Sequence, residues 1–368
     1  MRTIKAISLL TAAVMGCTAL LAGCGKGSDS FSSKAEEGAK TSDDGSINKD
    51  LTATELARLL GNGTNLGNTM EAYGHKSYSA DTDPESFETF WGQPVTTEEM
   101  IKGMKASGFD SLRVPVAWTN AMEYEKGDYT INEAYLDRVE EIINYALDND
   151  MYVIINDHWD GSWWGMFGSS EQSDVDKYKS MWTQIANRYK KYSDRLIFEG
   201  ANEELGDRLN DTDVCKNSGS LSKAECYEMA NKINQTFVDT VRATGGNNEQ
   251  RFLLIAGYNT DITMTCSNKF QMPTDTAKDK LLLSVHYYTP WDYCGTKGRS
   301  DWGTKTDYEE QNRLFRNMTK YSEQGYGIII GEYAVLTNGG DVKKGTDKFI
   351  DNLLDNCDAY GFAPFLWD

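Results

Sequence analysis

Two carboxylates far apart in the chain each close a short apolar run: Glu203 in IFEGANEE and Glu332 in IIIGEYA. A pair of this kind suits hydrolysis of a glycosidic bond, where one carboxyl stays protonated to assist the leaving oxygen and the other stays ionised to attack the anomeric carbon. Polar and aromatic residues end the neighbouring runs: Arg113 in LRVPVAW, His158 in VIINDHWD, Asn202 before Glu203, His286 and Tyr288 in SVHYYTPW, and Trp367 in FLWD. Arg113 is of the type that keeps a neighbouring carboxylate ionised. Taken singly, a Glu near an Arg is more often a structural ion pair, and an indole is more often core than a sugar platform. Convergence of all eight at the ends of successive runs argues for a site. Of the three His in the chain, His75 alone falls outside this pattern and reads as surface. HExxH and GxSxG are both absent, which disfavours metallohydrolase and serine-nucleophile chemistry, so no metal and no cofactor are expected.

Eight apolar runs carry these residues: 63–67, 111–116, 152–157, 196–200, 252–257, 281–288, 327–333 and 363–367. Their continuous hydrophobicity is that of parallel strands covered on both faces. Between them, segments such as INEAYLDRVEEIINYALDN and DYEEQNRLFRNMTKYSEQ place apolar residues at the 3.6 period of amphipathic helices, with Gly108, Gly245, Gly325 and Gly361 near their ends. The alternation predicts an α/β fold, a (β/α)8 TIM barrel over residues 51–368, with function at the carboxyl ends of its strands. Glu203 and Glu332 would then end strands four and seven and face one another across the mouth. SNKFQMPTDTAKDK, between strands five and six, is a weak helix at best. The chain ends at Trp367–Asp368 without a last helix, the pattern of a C-terminally truncated fragment. A doubly wound open sheet is the structural rival, because GNGTNLG has the glycine content, although not the spacing, of a dinucleotide fingerprint.

Ahead of the barrel, residues 1–24 read as an export leader: Arg2 and Lys5, an apolar run, then Leu21-Ala22-Gly23-Cys24. That ending is similar to a bacterial lipobox, which makes Cys24 the lipid-bearing first residue of the mature chain. Ordinary signal cleavage without lipid is the alternative. Residues 25–50, rich in Gly, Ser, Lys and acids, lack the apolar surface to fold and read as a flexible linker. The protein is therefore expected outside the cytoplasm, on the outer face of a membrane through Cys24 or secreted, and as a monomer. Its formal net charge of -19 opposes nucleic acid and anionic lipid as partners and favours a neutral one. Cys215 and Cys226 flank a polar loop at a spacing compatible with a small disulfide, and Cys266, Cys294 and Cys357 complete an odd set.

With GTNLGNTMEA, LRVPVAW, VIINDHWD, IFEGANEE, SVHYYTPW, IIIGEYA and FLWD in place, the body resembles glycoside hydrolase family 5 and, within it, bacterial endo-β-1,4-glucanases. The resemblance implies retaining cleavage of β-glucan polysaccharide, with Glu203 as acid/base and Glu332 as nucleophile. By the same resemblance Arg113 and Tyr288 flank the nucleophile, and His158 and His286 line the cleavage point. Asn202 would hold the sugar 2-hydroxyl and Trp367 would lie beneath the ring. Trp118, Trp163, Trp164, Trp291 and Trp302 are further candidate platforms, since a pyranose face suits an indole. Glu204, where many relatives carry Pro, is a decoy beside Glu203. Xyloglucanase, lichenase and mannanase specificities remain open, as does a surface lipoprotein that binds glycans without cleaving them.

Overall fold

A computed structural model describes residues 42–123, 126–158, 167, 171–210, 219–337 and 340–368. Eight parallel strands close into a barrel in chain order: β1 (Gly63–Asn65), β2 (Ser111–Val114), β3 (Tyr152–Asn156), β4 (Leu196–Glu199), β5 (Leu253–Asp261), β6 (Leu281–Tyr287), β7 (Gly327–Tyr333) and β8 (Ala363–Leu366). Gly63 of β1 pairs with Phe365 of β8, and this closure decides against the open sheet. β2, β4, β6 and β7 are buried along their whole length, which is why apolar residues dominate their sequences.

The helices are α1 (Ala53–Leu59), α2 (Pro84–Phe90), α3 (Glu98–Ala106), α4 (Glu133–Asp148), α5 (Glu171–Arg188), α6 (Lys223–Ala243), the single turn α7 (Trp291–Cys294), α8 (Lys305–Ser322) and α9 (Thr346–Tyr360). Ser222 with Glu225 and Thr304 with Asp307 form capping boxes that start α6 and α8. Gly361, at φ 72°, ends α9 in the left-handed region that glycine enters without a Cβ penalty. Between β5 and β6 the chain runs through turns with no helix, and α9 is the last helix before β8.

Two helices escape the periodicity reading because each is only seven residues long. Both carry a legible start signal: Thr52 with Glu55 for α1, and Asp83 before Pro84 for α2. α1 plugs the amino-terminal end of the barrel. Its Ala53, Leu56 and Ala57 join Ile154, Ile197, Leu254, Leu282, Ile329 and Phe365 in one buried cluster. Gly327 permits this seat, because a Cβ there would stand 2.2 Å from the carbonyl oxygen of Ala53.

Residues 42–50, read above as the end of the linker, lie against the barrel. Asn48 N donates to Asp194 at 2.8 Å, and Asn247 donates to the carbonyl of Gly45 at 2.8 Å. Lys280 Nζ donates to the carbonyls of Asn48 and Leu51 at 2.8 and 2.6 Å. The folded body therefore begins before Leu51, while residues 1–41, including Cys24, lie outside the described residues. Cys226 carries a free thiol, as do Cys266, Cys294 and Cys357; Cys215 lies outside the described residues.

Leu56 is fully buried in the plug. Leu56→Ala should cost about 2–5 kcal/mol, the range for leucine truncation in a packed core. Urea unfolding should show a lower midpoint, while activity per folded molecule stays unchanged because the plug sits at the end of the barrel away from the carboxylates.

Candidate active site

Arg113, fully buried on β2, organises the floor of the mouth. Its Nε donates to Glu199 at 2.6 Å, its Nη1 to Asn65 and to Glu332, both at 2.9 Å, and its Nη2 to Asn202 at 2.8 Å. One rigid fork thus ties together β1, β2, β4, the turn after β4, and β7. Lysine, with a compact ammonium and no planar fork, has no equivalent geometry. Asn65 extends the tie by donating to the carbonyls of Gly331 and Leu366 at 3.0 and 3.1 Å.

Glu332 accepts a second hydrogen bond from the Tyr288 hydroxyl at 3.0 Å. Nδ1 of His286 stands 2.8 Å from Glu203 and 3.4 Å from Glu332. One ring nitrogen of His286 and one oxygen of each carboxylate all lie within 4.8 Å of one another, the only group of three or more His, Cys, Asp or Glu side chains among the described residues near enough together to hold a cation. The two carboxyls differ in access: the Glu203 side chain is 41% exposed and that of Glu332 is 6% exposed.

Burial pushes the Glu332 carboxyl above its ordinary range, while His286 and Arg113 pull it back only in part. Burial also raises Glu203, but the hydrogen bond and charge of His286, with Arg113 and Arg208, outweigh it and leave that carboxyl below its usual value. Carboxyls this close share protons as one unit. Glu204, the decoy, is fully buried, and neither of its carboxyl oxygens has a hydrogen-bond partner. Burial drives it well above the carboxylate range, toward the neutral acid.

On the opposite wall, Asn156 fixes His158. The Asn156 Oδ1 accepts from Val116 N at 3.2 Å, which turns its Nδ2 toward Nδ1 of His158 at 3.1 Å. Nδ1 is then the acceptor, and the ring proton sits on Nε2. Burial, followed by the charges of Arg113 and His286, holds His158 well below its ordinary value and keeps it neutral. Arg113 likewise fixes the Asn202 Oδ1, so the Asn202 Nδ2 faces His158 Nε2 at 3.5 Å. Two donors point toward the same space. Trp367 stacks beside His158 with centroids 5.7 Å apart and planes 8° from parallel.

The structure brings together Arg113, His158, Asn202, Glu203, His286, Tyr288, Glu332 and Trp367. Trp291 stands 64% exposed beside Tyr288, at 6.1 Å between centroids, where a sugar face has access to it. Trp118 is a correction: it is fully buried, donates its Nε1 to the carbonyl of Asn156 at 2.7 Å and packs edge-on against Tyr135, so it is core and offers no platform. Trp302 is also core, packed on Tyr308 and Phe349. Trp163 and Trp164 lie outside the described residues. His75, read as surface, is half-buried and stacked on Tyr78 at 3.8 Å.

Asn65, Asn156 and Glu199 escape a reading of strand-end chemistry because they act through other residues. The polar position inside each otherwise apolar run is the signal that marks them. In the loop after β1, the Glu71 carboxyl accepts from the backbone N–H groups of Asn68 and Thr69 and is pushed up to about 8, chiefly by burial.

The sequence profile of the family described as cellulase, glycosyl hydrolase family 5, matches residues 75–368. Endoglucanase A of Paenibacillus barcinonensis is 34% identical over 354 residues, covering 87% of this chain and 83% of the relative. A xyloglucan-specific endo-β-1,4-glucanase of Bacteroides ovatus is 33% identical over 341 residues, covering 87% of this chain and 65% of the relative. Among solved structures, a broad-specificity endoglucanase from Ruminococcus champanellensis with bound cellotriose superposes with a TM-score of 0.75 at 34% identity, covering 87% of this chain and 90% of that one.

Arg113→Met should strip the counter-charge from two buried carboxylates at once. The expected cost is about 3–5 kcal/mol in stability, the usual result of breaking a buried ion pair from one side. Because Arg113 pulls Glu332 downward, its loss should also move the acid limb of the kcat/KM profile to higher pH. A pH profile of the purified variant beside its melting curve tests both effects.

Proposed function

The chain belongs to glycosyl hydrolase family 5 and is an endoglucanase, and from that premise we propose that Glu203 and Glu332 cleave β-1,4-glucan internally with retention of configuration. The observation that carries this reading is the approach of the two carboxylates to within 4.8 Å around one His286 nitrogen. A retaining pair stands roughly 5–5.5 Å apart, whereas an inverting pair needs roughly 6.5–9.5 Å to admit a water.

A glucan chain lies across the mouth with one ring over Trp367. Nε2–H of His158 and Nδ2 of Asn202 converge on a hydroxyl of that ring. Glu332, held by Arg113 and Tyr288, attacks the anomeric carbon while Glu203 donates its proton to the departing oxygen. Water then enters with Glu203 as base, and the second displacement restores the original configuration. His286 holds Glu203 low. A neutral sugar covering that carboxyl removes water from it, and desolvation favours the protonated form required of an acid. Glu332 keeps both of its hydrogen bonds throughout, so once the sugar has desolvated Glu203 it becomes the better anion of the two.

Xyloglucan is the second substrate to weigh. The Bacteroides ovatus relative is xyloglucan-specific, and a Prevotella bryantii family 5 structure at 30% identity was solved with a xyloglucan tetradecasaccharide. Glu203→Gln and Glu332→Gln should each lower activity on polysaccharide by at least about 10²–10⁴-fold, the usual contribution of a positioned general acid or a larger one for the nucleophile. Reducing-end release on carboxymethylcellulose, barley β-glucan, xyloglucan and mannan ranks the substrates. Azide should rescue Glu203→Gln on an aryl glycoside with a good leaving group, giving a product of retained configuration. Ordinary activity in either variant sinks the assignment.

For location we propose an outer-surface lipoprotein, supported by Leu21-Ala22-Gly23-Cys24 after an apolar run and by the polar tether behind it. In a bacterial host, radiolabelled palmitate should enter the full-length chain and not Cys24→Ala. Equal labelling of the two would reject the anchor.

A further inference from the structure

His286 meets the two carboxylates through Nδ1, and its Nε2, on the other side of the ring, is buried without a hydrogen-bond partner among the described residues. The hydroxyl of Ser284, two residues earlier on β6, is buried and unpartnered as well. Side chains two apart on a strand share a face. Leu282 belongs to the cluster inside the barrel that α1 plugs, so Ser284 and His286 line that inside too. On β7, Ile329 belongs to the same cluster and Gly331 follows two residues on. The ladder slips at this point: Val285 pairs with Ile330 but His286 pairs with Glu332, so Gly331 is the extra residue of a bulge. Strict alternation would send Glu332 to the face of Ile330, on the helix side of the strand. The inserted residue turns it to the mouth instead, the usual use of a bulge beside a site.

Its surroundings explain why the inserted residue is glycine. Its φ is not positive, so the backbone alone makes no demand for glycine. A Cβ at this position would stand 2.8 Å from Ser284 Oγ and 3.2 Å from His286 Nε2. The space that Gly331 leaves is thus shared by the two unpartnered atoms, and a buried water serves such a pair by bonding to both. The direction of its bonds follows from the other nitrogen. Nδ1 faces carboxylates, which accept when ionised, so the neutral ring carries its proton on Nδ1 and Nε2 accepts. The water donates to Nε2 and takes the Ser284 hydroxyl proton as acceptor. Arg113 of β2, His158 after β3, Glu203 and Glu204 after β4, Tyr288 after β6 and Glu332 of β7 are the ionisable groups around the ring, and none of them supplies Nε2 with a partner. We propose that Ser284 is a positioning residue for the acid/base step: through one buried water lodged against Gly331, its hydroxyl holds Nε2 of His286 and so keeps the Nδ1 proton directed at Glu203 and Glu332. The proposal rests on the catalytic reading of those two carboxylates and deepens it.

Ser284→Ala removes the hydroxyl, and Gly331→Ala puts a methyl where the water sits while keeping the hydroxyl. The hydrogen bond from His286 lowers Glu203, so a ring held less firmly should let that carboxyl rise. The acid then keeps its proton to higher pH, and the alkaline limb of the kcat/KM profile on barley β-glucan should move upward in both variants. In Ser284→Ala kcat should fall about tenfold with KM nearly unchanged, the lower end of what losing a histidine's outer partner costs at metal sites. A role in packing alone would lower the melting temperature and leave the limb where it is, and that result for Ser284→Ala overturns the proposal. If Gly331→Ala does not fold, Ser284→Ala carries the kinetic test. A high-resolution crystal structure of the parent should show a water within hydrogen-bond distance of both Ser284 Oγ and His286 Nε2. A direct bond between those atoms, or no water reaching the pair, overturns the bridge. A parent that cleaves no glucan removes the function reading, and the crystal structure then decides the bridge alone.

Discussion

The mouth of this barrel depends on one buried cation. Four of the five N–H donors of Arg113 find acceptors on four different segments of chain, and two of those acceptors are carboxylates that would otherwise stand uncompensated in a low-dielectric interior. The guanidinium plane therefore fixes relative positions as well as charge. Glu332 cannot rotate without losing Arg113, and Asn202 cannot flip without turning its carbonyl away from a donor. Because Asn202 immediately precedes Glu203, the same cation indirectly sets where the second carboxyl begins its approach.

From this constraint follows an asymmetry between two residues of one chemical type. Glu332 is enclosed and held by two donors, whereas Glu203 is open to solvent on one side and touches a single imidazole. An enclosed carboxylate with fixed donors is suited to carry charge through the reaction, and an accessible one is suited to have its proton affinity changed by what covers it. His286 holds the accessible carboxyl low, so in the proposed reaction the arrangement is completed only when substrate excludes water. In the proposed reaction, the binding of a neutral polymer and the preparation of the acid are then one event.

The helices and glycines around the site serve packing. α1 closes the amino-terminal end with small and aliphatic residues, and Gly327 exists to let the backbone of Ala53 approach. The carboxyl-terminal end is left to loops, which is where Trp291 and Trp367 lie. Stability and recognition are thus divided between the two ends of one ring, as expected where strand ends carry the chemistry and a plug closes the far side.

The sequence by itself determined the eight staves and the residues at their ends. Continuous apolar runs bounded by amphipathic segments have few other ways to bury both faces, and a polar residue closing such a run is visible in one dimension. It also marked Glu203, Glu332, Arg113, His158, His286, Tyr288 and Trp367 as candidates, partly through resemblance. It did not distinguish Trp118 from Trp291. Both are indoles shortly after a strand, and only the packed neighbours show that one donates into the core while the other faces water. Nor did it place α1, α2 or the ordered stretch at 42–50, whose partners lie far away in sequence. Asn65, Asn156 and Glu199 belong to the same class, since a residue that orients another is recognised by what it touches. Composition and spacing specify what each element is; proximity between distant elements, on which hydrogen bonding and proton affinity depend, arises only when the ring closes.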